Sequence, residues 1–95
     1  MQTYVILRRN GFKDGPDLEQ AAGRSTEVGN GEMQDEVRWI RTYVLSEAAG
    51  GLGTVCIYQA ASADAVRRHA SRAGLPCDEV VEVTDTIVVR PDPEE

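Results

Sequence analysis

His69 is the only histidine in the 95-residue chain, and it lies in the run Val66-Arg67-Arg68-His69-Ala70. An imidazole titrates near neutral pH and ligates transition metals, so its partner decides its chemistry. Cys56 and Tyr58 stand two residues apart in a β-branched and apolar stretch, Thr54 to Ala61, and therefore share one strand face. A buried phenol needs a hydrogen-bond partner, and a thiol is either a small hydrophobe or a soft ligand. His69, Cys56 and a carboxylate such as Glu82 make a three-donor metal set, better suited to nickel or zinc than to calcium or magnesium. None of the three stands at dedicated ligand spacing. His69 also reads as a core histidine with one bonded nitrogen, and Cys56 as core filling.

Trp39, Arg41 and Tyr43 alternate within Val37 to Leu45, which places them on one face of a strand. Under the helices, Arg41 would hold a ligand carboxylate or phosphate; toward a partner, all three would be interface anchors. Ser25 lies on a stripe of small residues and can donate into the same cavity or back to its own helix. The candidate ligand pocket is therefore His69, Cys56, Tyr58, Trp39, Arg41 and Ser25. No nucleophile motif with an adjacent base appears, and Gly50-Gly51-Leu52-Gly53 falls in a hairpin turn without the Lys-Ser/Thr of a phosphate loop. A Cys56–His69 dyad is a spatial question that spacing leaves open.

The elements that must position these groups follow from periodicity. Gln2 to Arg9 reads as a strand ended by Asn10-Gly11. A helix begins at Pro16, with Leu18, Ala21, Ala22, Ser25, Val28 and Gly29 on one face, and weakens past about residue 29 because each glycine costs about 1 kcal/mol. Val37–Leu45 and Thr54–Ala61 form an antiparallel hairpin across the glycine turn. Ser62 caps a second helix that stops at Gly74, with Val66, His69, Ala70 and Ala73 inward and Arg67, Arg68, Ser71 and Arg72 in water. Val80 to Arg90 is the last strand, with an interruption near Thr84-Asp85, and Pro91 to Glu95 is a disordered acidic tail. The order βαββαβ specifies an α+β, ferredoxin-like domain over residues 1–90, with a four-stranded antiparallel sheet and two helices on one face. Large apolar groups on both strand faces call for a second cover, and a homodimer packed sheet to sheet supplies it.

A net charge of −6 argues against nucleic acid as a partner, since phosphate binding needs clustered cations. No apolar run reaches the length of a bilayer span and no basic-then-apolar leader opens the chain, so a cytoplasmic protein with no membrane partner is expected. The two cysteines, Cys56 and Cys77, show no disulfide or Cys-x-x-Cys pattern and read as reduced thiols.

Val37-Arg38-Trp39-Ile40-Arg41, Tyr43-Val44, Cys56-Ile57-Tyr58, Asp64-Ala65-Val66-Arg67, His69-Ala70, Arg72-Ala73-Gly74-Leu75-Pro76 and Val81-Glu82-Val83 together resemble the small bacterial DUF4242 family. The resemblance implies a ferredoxin-like fold assembled as a dimeric α/β barrel. Most members have no assigned activity, and one actinobacterial branch binds nickel through histidines in its first strand, its first helix and around its second helix. The first two of those elements carry no histidine here, and the second-helix histidine of that branch aligns with Ala70. Two functions are carried forward. One is a small homodimeric protein that binds a ligand or a metal, nickel included. The other is a cofactor-independent oxygenase or isomerase-like enzyme of the dimeric α/β barrel type, with His69 as base and Arg41 as anion clamp.

Overall fold

Alternating apolar side chains build four strands, and in the computed structural model, which describes residues 1–93, these pair into one antiparallel sheet. The elements run β1 (Gln2–Phe12), α1 (Gly15–Asn30), β2 (Val37–Ser46), β3 (Leu52–Ala60), α2 (Ala63–Ala73) and β4 (Glu79–Val83). The spatial order β2-β3-β1-β4 inserts β3 between β1 and β2, and β1 between β3 and β4. Two βαβ units thereby interlock in the expected ferredoxin-like α+β arrangement.

Register puts Tyr4 opposite Tyr58, Ile6 opposite Cys56 and Arg8 opposite Thr54. All six are buried on the helix-covered face, where Met33, Val37, Ala65 and Val66 complete the core. The intervening Val5, Leu7, Val55 and Ile57 point to the opposite face and are only half-buried.

Local chemistry starts and stops the helices as the sequence suggests. The Asp14 carboxylate accepts the Asp17 N–H at 3.0 Å with Pro16 in the first turn of α1, and Ser62 Oγ accepts the Ala65 N–H at 3.1 Å at the start of α2. Gly74 ends α2 at φ 67°, a left-handed conformation that glycine adopts without a Cβ clash. Arg24 Nε donates to Ala73 O at 2.8 Å and ties the two helices together.

Three elements differ from the sequence expectation, each for a non-local reason. Asn10-Gly11 bulges β1 instead of ending it: the register slips between Arg8 and Phe12, and Asn10 sits at φ 53°. The Glu47 carboxylate pins this bulge by accepting the Asn10 N–H and pairing with Arg9 at 2.8 Å, and the strand resumes to bury Phe12. A second bulge interrupts β2 between Trp39 and Arg41, so that Ile40 is the extra residue. Finally, β4 stops at Val83 instead of reaching Arg90. Val83 pairs with Thr3, so β1 offers almost no partner beyond it, and Ile87, Val88 and Val89 stand 87%, 75% and 81% exposed.

The chain leaving β4 at one sheet edge reaches the other by Asp92, whose carboxylate accepts from Arg41 and, at 2.7 Å, from the Tyr43 hydroxyl. The acidic-tail expectation extends to Glu94 and Glu95, which lie outside the described residues. No helix among the described residues is long and apolar enough to cross a membrane.

Candidate functional site

α2 turns His69 inward because Val66, Ala70 and Ala73 share its face, leaving the ring 1% exposed. Its Nε2 lies 3.0 Å from the Ser25 carbonyl on α1. A carbonyl oxygen only accepts, so Nε2 carries the proton and Nδ1 presents a lone pair. That Nδ1 is buried and has no partner among the described residues. The same serine joins the sheet, with Ser25 Oγ 2.8 Å from Tyr58 Oη. Tyr58 in turn stacks on Trp39, with centroids 6.2 Å apart, and meets the edge of the His69 ring at 5.4 Å.

Burial pushes the His69 pKa down; the Ser25 carbonyl opposes this, and the charge of Arg8 adds to it. Burial also pushes the Tyr58 phenol up. At neutral pH both groups are therefore uncharged, a base with a free lone pair beside a phenol. They border a cavity of about 150 Å³ that is also lined by Ser25, Val37 and Trp39.

A second, smaller space of about 30 Å³ lies under Arg8, Thr54 and Cys56 and shares Ser25, Trp39 and Tyr58 as walls. Arg8 is 2% exposed. Its Nε donates to Pro76 O at 2.6 Å and one terminal nitrogen to Cys56 Sγ at 3.1 Å. The other terminal nitrogen is buried without a partner among the described residues. Thr42 Oγ1 also donates to Cys56 Sγ at 3.2 Å and accepts from Trp39 Nε1 at 2.7 Å.

Five of the six sequence-predicted pocket residues converge: Ser25, Trp39 and Tyr58 line both spaces, His69 the larger and Cys56 the smaller. Arg41 is the exception. Strict alternation would put it beside Trp39, but the Ile40 bulge leaves Trp39 opposite Tyr58 and turns Arg41 and Tyr43 to the other face, opposite Ile57 and Val55. An enzyme with His69 as base would have no clamp in Arg41. The residue that sequence reasoning missed is Arg8. Its signal was the period of two in Tyr4, Ile6 and Arg8, which places an arginine in the apolar register of β1.

The donor set does not fit nickel or zinc within one chain. His69 and Cys56 line different spaces, and Glu82 is exposed at the sheet edge on β4. No group of three His, Cys, Asp or Glu side chains placed to hold a metal is found among the described residues. The guanidinium 3.1 Å from Cys56 Sγ would also repel a cation arriving there.

The model of a family described as nickel responsive protein SCO4226-like matches residues 4–83. The crystal structure of SCO4226 from Streptomyces coelicolor A3(2) aligns with a TM-score of 0.69 and 24% identity, covering 90% of this chain and 99% of that one, which shows a shared fold. None of the curated proteins matches.

Proposed function

We propose, from the premise that this chain belongs to the nickel-responsive SCO4226-like protein family, that it is a small homodimeric protein that binds an organic ligand between α1, α2 and the sheet. The observation that carries the reading is the cavity of about 150 Å³ beside His69, Ser25 and Tyr58. A space of about 150 Å³ holds a benzene-sized molecule. We read His69 Nδ1, the ring nitrogen left without a partner, as the acceptor for that molecule, so a compact ring bearing a hydroxyl fits best. Homodimerisation is supported by the half-buried apolar row Val5, Leu7, Val55 and Ile57, which lies on the sheet face away from the helices.

Trp39 is the only tryptophan and lines the cavity, so its fluorescence reports occupancy. Phenol is expected to change that fluorescence saturably. His69→Gln should weaken phenol about tenfold, the loss of one hydrogen bond, while toluene, which lacks the hydroxyl, should not distinguish the two proteins. Absence of a saturable change with phenol would reject the cavity as a ligand site. Calorimetric titration with nickel is the companion measurement. Heat that disappears with His69→Gln would replace the organic-ligand reading with metal binding, the alternative that the family's description supports.

A further inference from the structure

A buried arginine is costly unless its charge is compensated and all its donors are used, and compensation normally comes from a carboxylate. Arg8 has neither condition met. At 2% exposure it donates to the Pro76 carbonyl and to the Cys56 sulfur, one terminal nitrogen has no partner, and none of the ion pairs among the described residues includes it. A guanidinium stays protonated in proteins, so the positive charge persists. Beside it is a space of about 30 Å³, enough for a group of about two water molecules' size. Phe12, Leu18, Ala21 and Leu75 give that space apolar walls, while Thr54 adds a hydroxyl on the strand opposite Arg8.

We propose that Arg8, with Thr54 at its side, forms a binding site for a small organic anion, a monocarboxylate as small as formate or acetate. The carboxylate supplies the missing counter-charge and takes the free terminal N–H, and no more than a methyl group meets the apolar walls of Phe12, Leu18 and Leu75. The guanidinium fork is suited to this planar anion in a way that an ammonium is not. The site goes beyond the His69 reading, because the larger cavity is lined by His69 and not by Arg8. The two spaces share Ser25, Trp39 and Tyr58 as walls.

Acetate is the probe and acetamide its neutral isostere. In nitrogen-15 NMR at low ionic strength, acetate is expected to shift the Arg8 Nε–H signal saturably. Above saturation it should raise the folding constant roughly tenfold for each tenfold increase in acetate. Acetamide should do neither. Arg8→Met should lose the acetate dependence of stability, and Arg8→Lys, which keeps the charge but not the fork, should retain only a weakened one; dispersed NMR spectra establish that both variants are folded. His69→Gln should keep the acetate response, so failure of the phenol site and failure of this one are told apart. An Arg8 signal indifferent to acetate would overturn the proposal. So would ultraviolet absorbance of a Cys56 thiolate in the anion-free protein that vanishes with Arg8→Met, because the counter-charge would then be internal.

Discussion

At the scale of the residue, His69 links the stability of the protein to pH. An unfolded imidazole takes up its proton near pH 6.5, and burial places the folded value lower. Between the two values the unfolded chain binds more protons, so acid favours it. The contribution of neutral His69 is whole above about pH 6.5 and is lost progressively as pH falls toward the folded pKa. Urea denaturation on either side of about pH 6.5 should therefore show lower stability on the acid side. His69→Gln should flatten that slope, which is attributable because the chain has no other histidine. Equal slopes in the two proteins would show that the ring is not held neutral by its surroundings. The position of His69 was legible from the spacing of Val66, Ala70 and Ala73. Its hydrogen bond to the Ser25 carbonyl was not, because backbone acceptors carry no sequence signature.

At the scale of the element, two bulges decide which side chains reach the site. The β2 bulge adds one residue and reverses the faces that follow it, whereas the β1 bulge adds two and returns Phe12 to the buried face of Arg8. In β2 the reversal at Ile40 brings Thr42 to Cys56 and sends Arg41 and Tyr43 to Asp92 on the far side. Arg41→Ala should consequently leave phenol and acetate affinities unchanged within error, whereas a several-fold loss would mean that Arg41 faces the helices. In β1 the bulge at Asn10-Gly11 is pinned by the Glu47 carboxylate, which Arg9 holds below the usual carboxylate range. The helices needed no such help. Asp14, Ser62 and Gly74 act within one turn of the residues they cap, and for that reason their positions were readable in advance.

At the scale of the whole molecule, one sheet face is covered by the helices and the other bears apolar rows with no helix against them. Val5, Leu7, Val55 and Ile57 lie there, with Val81 47% exposed toward the edge. A second copy would remove this surface from water at about 25 cal/mol for each Å² of apolar area. Light scattering should give the mass of a dimer at micromolar concentration. Ile57→Glu, at the centre of that row, should shift the mass to a monomer while circular dichroism stays native. A wild-type monomer would count against the sheet-to-sheet assembly.

The sequence by itself determined the order of elements, the ferredoxin-like topology, the caps and the inward face of α2. These depend on periodicity and on contacts within a turn, which a linear pattern records. The tertiary structure decided the composition of the site. Arg8 is anchored by Pro76, 68 residues away, and the β1 bulge by Glu47, 37 residues from Asn10. Partners at that distance leave no trace in local spacing, because they meet only once β3 is inserted beside β1 and the chain after α2 folds back across the sheet.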